Sequence, residues 1–466
     1  MSRSRSAWAL ALTSVAFFMG ALDSLVVITA LPAVHKEIGG SLSSLEWTVN
    51  AYTVALAAGI ITAAAIGDRL GRRRVYVFGL LLFSLASAAC ALAPTVETLI
   101  AARAVQGVGA AIITPLSLTI LTSAFPAERR GAIVGAWGGI GGLAVAIGPM
   151  IGGAVTQGLS WHWIFWVNVP IGIAAAVLAT IRLPESRGAQ SKLDVPGLLL
   201  VSAGALAILW GLIRSTDVGW ASGEVAGSLA LGAAVVAAFV AWEARTAAPM
   251  LPLRLLTIQP FAAALGTAFL MTGSIMSAAF LASQFFQFGL GYSPLETGLR
   301  FLPWTGTAFI VAPIAGRLAD RIGTRPLMVG GLLMNATGLA WMAQVAGAGV
   351  GYEKLVLPLV LGGVGVSMAL PTTPTAALGA VPASDIGKAS GVINMLQRFG
   401  AAFAIAVVSA VFAANGHLGS AASVSAGFKP ATAVVAGMSV LGAVLALNTA
   451  RRRKPSSVPA VELQAA

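Results

Sequence analysis

Fourteen stretches of this chain are apolar for about twenty residues each, the length an α-helix needs to cross the hydrocarbon of a bilayer. They span 8–32, 46–66, 75–93, 98–122, 132–156, 161–182, 195–214, 223–243, 261–289, 296–316, 326–346, 354–377, 388–413 and 430–450. The expected fold is therefore an all-α membrane protein with fourteen crossings. Only 9% of the 466 residues are charged, against about 25% in an ordinary soluble domain. The Ser/Arg-rich start, Met1–Ser6, resembles the front of a signal peptide. The apolar run behind it is too long for a signal core and is interrupted by Asp23, so it reads as a retained helix.

The basic residues give the orientation. The formal net charge is +12, but the excess lies in short loops between spans, which sets topology and argues against a nucleic-acid partner. Of 28 Lys and Arg, 21 fall on one side, five on the other (Lys36, Arg214, Arg300, Lys354 and Lys429), and Arg103 and Arg398 within spans. Lys and Arg near span ends resist translocation, so both termini are expected in the cytoplasm.

The most basic loop, Gly67–Val75, reads Gly-Asp-Arg-Leu-Gly-Arg-Arg-Arg-Val, and a degraded copy returns at Gly316–Pro326. Each follows the second span of a group of six, which points to an internal duplication. The expected organisation is 1–182 as a first six-helix bundle, 183–254 as a linker with two inserted helices, 255–450 as a second bundle and 451–466 as a tail. A gating role is expected for Gly67, Asp68, Arg69, Gly71, Arg72 and Arg73 in the first loop, and for Gly316, Asp320 and Arg321 in the second.

Ionisable groups inside the membrane are costly and usually face a cavity or a partner. Asp23 lies roughly 12 Å from the outer end of the first helix, and Arg103 roughly 9 Å from the outer end of the fourth, at the helical rise. The two sit at similar depth, with Gln106 one turn from Arg103 on the same face. Two roles fit: a proton-responsive carboxylate tuned by a guanidinium, or an ion pair that locks two helices. In the fifth helix Gly138, Gly142, Ala146, Pro149 and Gly153 form a small-residue stripe that ends Gly148-Pro149-x-x-Gly152-Gly153, suited to close helix approach and bending. The remaining candidates for a substrate cavity are Asn50, Tyr52, Gln284, Gln287, Trp304, Asn394 and Arg398. For Arg398, near the midplane, a substrate role and a structural pairing role are equally open. Cys90 is the sole cysteine, and His35, His162 and His417 are scattered. No metal, cofactor or enzyme chemistry is expected from them.

These motifs resemble the fourteen-helix drug:proton antiporter branch of the major facilitator superfamily over nearly the whole length. Gly67–Arg74 is similar to the family's loop between helices two and three. Leu22–Val27 with Ala30-Leu31-Pro32 is similar to its helix-one signature, Arg103–Ala110 to its helix-four motif and Gly148–Gly153 to its helix-five antiporter motif. Trp161–Gly172 looks like the opening of helix six. The resemblance implies a monomeric, multi-pass cell-membrane exporter of hydrophobic small molecules, coupled to protons and working by alternating access. A facilitator or proton symporter of a metabolite is the alternative. Ser24-Leu25 and Ile28-Thr29 depart from the usual helix-one pattern, which leaves Asp23 in place but alters its packing. The short loop Ala414–Lys429 and the lack of a second deep acid weigh against dicationic substrates.

Overall fold

The computed structural model describes residues 3–125, 127–187, 194–246, 249, 251, 253–382 and 385–450. The described chain is helical. The first half runs α1 (Arg3–Ile38), α2 (Leu42–Leu70), α3 (Arg72–Ala91), α4 (Val96–Ser123), α5 (Ala127–Gly158) and α6 (Asn168–Arg182). Then come α7 (Val195–Val218) and α8 (Gly223–Glu243). The rest is α9 (Gln259–Gln284), α10 (Thr307–Ile322), α11 (Thr324–Val345), α12 (Glu353–Leu378), α13 (Ile386–Asn415) and α14 (Ala421–Ala446). The tail 451–466 lies outside the described residues.

Among the described residues, eleven helices are long and apolar enough to cross a membrane. The number becomes twelve when the two parts of α2, inclined at 51°, are taken as one span. The expectation was fourteen. The predicted span 132–156 lies on α5, many of whose side chains are outside the description. The predicted span 296–316 is divided into Pro294–Arg300, Leu302–Thr305 and α10, which alone has 16 residues.

The chain repeats one packing pattern. In the first half α1 packs on α5, α4 on α2 and α3, and α3 on α6; in the second α9 packs on α13, α12 on α10 and α11, and α11 on α14. The turns after α2 and α10 are made by glycines with positive φ, Gly71 at 114° and Gly323 at 87°, which side chains rarely tolerate. The halves meet at matching places, α2 against α13 and α5 against Pro294–Arg300. The extra helices α7 and α8 pair with each other, and α7 lies against α2 and α13. Close approach depends on glycine: a methyl at Gly107 would run into the Tyr52 carbonyl, and one at Gly365 into the Gly331 carbonyl.

The start of α1 and the ends of α4 and α6 share one face, since Ser6 Oγ donates to the Ala124 carbonyl at 3.0 Å and the Arg182 guanidinium lies over Trp8. The basic loop is on that face too, because Arg73 Nη1 donates to the Leu183 carbonyl at 3.1 Å. At the opposite face a continuous apolar cluster joins Leu25–Leu31 to Phe280, Phe285, Phe286, Phe301, Phe412 and Phe428. It is stitched across the halves: Ser283 Oγ donates to the Ile28 carbonyl at 3.1 Å and Gln287 Nε2 to the Thr29 carbonyl at 3.0 Å. A π-helical turn, Phe285–Gly289, carries Gln287 into that position. Gly148 and Gly152 seat α5 on Leu25, Val26 and Thr29 of α1, while Gly153 abuts the Pro294 carbonyl and Gly298 the Pro149 carbonyl. Gly138 and Gly142 lie on α5, but their surroundings are outside the description.

A side chain at position 153 has no room while this end is closed. In a Cys90→Ser background, Gly153→Leu should make a cysteine placed at Ser283 reactive to an impermeant maleimide applied from the face opposite the basic loop. The same cysteine without Gly153→Leu should stay protected. Equal labelling of the two proteins would show that the Gly153–Pro294 contact does not hold this end shut.

Candidate functional site

Between the halves lies a cavity of about 740 Å³. Its floor is the apolar cluster, and its walls run from there toward the basic-loop face, reaching Pro313 in the middle of α10 and Pro374 near the end of α12. The lining is mostly apolar and aromatic, including Phe17, Leu143, Met276, Trp304 and Phe309, with Ser24, Thr114, Thr305, Ser367 and Gln397 as neutral polar groups. Tyr52 and Arg398 line it as well; Asn50, Gln106, Gln284, Gln287 and Asn394 do not.

Beside the cavity, behind Tyr52, sits a buried polar network. Asp23 is 3% exposed and Arg103 1%. Arg103 Nη1 donates to Asp23 Oδ2 and, at 2.7 Å, to Gln106 Oε1. Gln106 Nε2 donates to Asp23 Oδ1 at 3.0 Å, and Asn168 Nδ2 to the same oxygen at 3.2 Å. Arg103 Nε reaches the Thr48 carbonyl at 3.2 Å, so both ends of the guanidinium are engaged. Ser87 Oγ accepts from Gln106 and Asn168, each at 3.2 Å, and donates to the Phe165 carbonyl at 2.9 Å. The Arg103 guanidinium also sits 4.2 Å from the centroid of the Tyr52 ring, a cation–π contact. Tyr52 Oη donates to the Gly20 carbonyl at 3.2 Å, and Gly20 lines the cavity. Tyr52 is thus a shared wall, with the cavity on one side and the ion pair on the other.

This confirms the depth match of Asp23, Arg103 and Gln106 as a real contact. Asn168, Ser87 and the Thr48 carbonyl are additions that spacing did not point to. Asn168 did carry a signal, as an amide inside the apolar Trp161–Gly172 segment. Glu46 is a correction. It stood at the edge of the predicted second span, but Ser41 caps α2 with a box to Ser44 and starts the helix earlier, leaving Glu46 fully buried.

The other candidates are dispersed. Asn50 and Gln284 are buried, and among the described residues their side-chain amides make no hydrogen bond. Asn394 donates to the Ser390 carbonyl of its own helix at 2.8 Å. Gly67 packs against Leu116. Asp68 accepts from Arg72 Nε at 2.7 Å, and Arg69 is exposed. Glu185, just past α6, caps α3 by accepting from the backbone of Arg73 at 3.0 Å and Arg74 at 3.3 Å, which fixes the basic loop to its own half. In the second copy Gly316 faces open space, Arg321 is exposed, and the Asp320 side chain lies outside the description.

Where the first half places its ion pair, among its first, third, fourth and sixth helices, the second half has a neutral cluster on α9, α11 and α14. Ser274 Oγ and Ser439 Oγ are 2.6 Å apart, and Asn335 Nδ2 donates to them at 3.0 and 2.9 Å.

A sequence model described as Major Facilitator Superfamily matches residues 13–404 and 263–465. The chain is 32% identical over 405 residues to the "Tetracenomycin C resistance and export protein" of Streptomyces glaucescens, covering 86% of this chain and 75% of that one. It is 33% identical over 461 residues to the "Puromycin resistance protein pur8" of Streptomyces alboniger, covering 94% and 90%. To the "Probable actinorhodin transporter" of Streptomyces coelicolor it is 33% identical over 419 residues, covering 87% and 72%. In fold it is similar to an auto-inhibited POT family peptide transporter, at TM-score 0.70 and 15% identity over 97% of this chain and 98% of that one. A D-xylose–proton symporter matches at TM-score 0.66 and 15% identity, over 94% and 96%.

Removing one member of a buried ion pair strands the other charge, at a cost of about 3–5 kcal/mol. Asp23→Asn and Arg103→Gln should therefore each destabilise the protein more than half as much as the pair together, giving a coupling of roughly that size in a double-mutant cycle. Reversible unfolding in SDS–detergent mixtures measures it. Strict additivity would mean that the pair contributes no mutual stabilisation.

Proposed function

The chain belongs to the major facilitator superfamily, and from that premise we propose that it exports hydrophobic drugs, antibiotics or related small molecules in exchange for protons. It is a multi-pass cell-membrane transporter and not an enzyme. In this reading 1–182 and 255–450 are two bundles that rock against each other, and the α7–α8 pair within 183–254 is an insertion outside the transport path. Fourteen crossings put both termini, and with them the basic-loop face, in the cytoplasm. The cavity then faces inward, ready to load from the cytoplasm or the inner leaflet.

One observation carries the reading. A carboxylate shielded from water is held by a guanidinium and two amides, and the guanidinium lies against Tyr52, which lines a roomy apolar cavity. A structural lock would need no such neighbour, whereas a coupling site must sense whether the cavity is filled. Protonation of Asp23 removes the charge that Arg103 answers and loosens the tie between α1 and α4. Trp304, Arg398 and Tyr52 are the cavity residues we assign to substrate contact. Outward opening must part Ser283 from Ile28, Gln287 from Thr29 and Gly153 from Pro294. The basic-loop ends would close at the same time, and Asp68 would exchange Arg72 for a donor on a neighbouring helix. The relatives named for resistance to or export of tetracenomycin C and puromycin support export as the direction.

Two measurements test this. In everted vesicles with an imposed proton gradient, a transported compound from a dye and antibiotic panel should dissipate the gradient through the wild type. Asp23→Asn should abolish that dissipation and uphill transport, while downhill equilibration of the compound persists. Uphill accumulation by Asp23→Asn with a normal pH profile would place the proton site elsewhere. Separately, Asp68→Ala should lower turnover at least about tenfold while leaving expression and binding of the same compound in place. Unchanged turnover would remove the gating role.

A further inference from the structure

Arg398 lies on α13, twelve residues after its start at Ile386, and lines the cavity. Among the described residues it makes no ion pair and no hydrogen bond. Among the described residues of the first half, three arginines at buried or half-buried sites each hold a carboxylate: Arg103 has Asp23, Arg72 has Asp68 and Arg73 has Glu185. Among the described residues, no aspartate, glutamate, lysine or histidine joins Arg398 in the lining. The nearby amide of Asn394, one turn back, is committed to the Ser390 carbonyl. The neighbouring polar groups, Ser367, Thr305 and Gln397, are neutral. A guanidinium kept without a counter-charge at this depth is costly unless something else supplies the anion.

We propose that the cavity takes aromatic compounds bearing an anionic group (a carboxylate, sulfonate or phenolate), with Arg398 holding the anion and the apolar walls holding the rings. This deepens the exporter reading given above and rests on it. The chemistry matches on both sides. A guanidinium presents a planar fork to two oxygens and is weakly hydrated, so it gives up water for an anion more readily than an ammonium does. Phe17, Trp304 and Phe309 supply flat surface, and about 740 Å³ accommodates a body of several fused rings. A cation entering the same space would meet Arg398 with no carboxylate to offset it. Asp23, the nearest acid in the network, is already bound to Arg103 behind Tyr52.

The test uses the full chain in lipid nanodiscs and two xanthene dyes of similar shape and opposite charge, fluorescein and rhodamine 6G, read by fluorescence anisotropy. Wild type should bind fluorescein at least about tenfold more tightly than rhodamine 6G, the worth of one charge-assisted contact. Arg398→Gln should weaken fluorescein by about tenfold or more and bind rhodamine 6G as tightly as the wild type or more tightly, which also shows that the variant is folded. Arg398→Lys should keep most of the fluorescein affinity, Arg398→Glu should reverse the preference, and the exposed Arg245→Gln should change neither. Equal or tighter binding of rhodamine 6G by the wild type overturns the proposal. So does fluorescein binding that ignores Arg398→Gln, or no fluorescein binding at all. The readout is an equilibrium without a proton gradient. Loss of gradient-driven transport with the dye preference intact would therefore count against proton exchange alone. Charge-blind binding with transport intact would count against the anion site alone.

Discussion

A carboxylate placed where water cannot reach it must find its donors inside the protein, and most of the first half can be understood from how Asp23 does so. Its two oxygens draw Arg103 and Gln106 from α4 and Asn168 from α6, while Ser87 of α3 ties the two amides together. Four helices are thereby referred to one charge. Lipid offers no hydrophobic drive for helices to associate, so a contact of this strength sets their register as well as their stability. At the matching junction of the second half the described residues place no such charge, and its buried carboxylate, Asp385, pairs elsewhere with Arg254. Its equivalent helices meet through Ser274, Asn335 and Ser439, which are neutral in every protonation state they reach in water. Two bundles of one design therefore differ in a chemical respect: only the first carries a titratable centre at that junction.

The second constraint is how closely backbones approach. Gly107 lets α4 settle onto Tyr52, and Gly109 lets it settle onto the backbone of Phe83. The first of these brings the Tyr52 ring beneath the Arg103 guanidinium. On α5 the glycines divide their work, with Gly148 and Gly152 turned to α1 and Gly153 to the other half. One helix thus packs within its bundle and across the interface through different glycines, as the proposed rocking of the two halves requires. A moving joint needs this combination, and a uniform small-residue face would not distinguish the two.

The parts of the fold that were legible in the sequence obey one-dimensional rules. Apolar length marks the spans, charge asymmetry marks the loops, and helical rise put Asp23 and Arg103 at one depth. The parts that were not legible depend on which faces meet. Asn168 and Ser87 complete the ion-pair network because α6 and α3 converge on α1, and nothing in their spacing says so. Gln287 was read as a cavity residue, yet a π-helical turn moves it to the Thr29 carbonyl at the closed end. Asn50 and Gln284 are buried away from the cavity lining, whereas Tyr52, Trp304 and Arg398 line it. Glu46 shows how a cap shifts the outcome, since a helix that begins one turn earlier converts a span-edge acid into a buried one.

The proposed anion site constrains how the proposed proton exchange can work. Protonating Asp23 leaves Arg103 without its counter-charge, so the field reaching the cavity becomes more positive. For an anionic cargo held by Arg398 that change favours binding, which is the sign of co-transport. Charge alone therefore cannot make the proton and such a cargo exclude one another, and the opposition has to be one of position. Tyr52 stands where position can act. Its hydroxyl is fixed to Gly20 on the cavity wall and its ring faces the Arg103 guanidinium 4.2 Å from the centroid. An Arg103 released from Asp23 would keep Gln106 Oε1, the Thr48 carbonyl and the Tyr52 ring as contacts, and pressing toward the ring would drive it into the space that the cargo's rings occupy. A cargo already seated there pushes the other way, keeping Arg103 on Asp23 and the proton off it. In the proposed exchanger, antiport would then arise from two occupants contesting one wall.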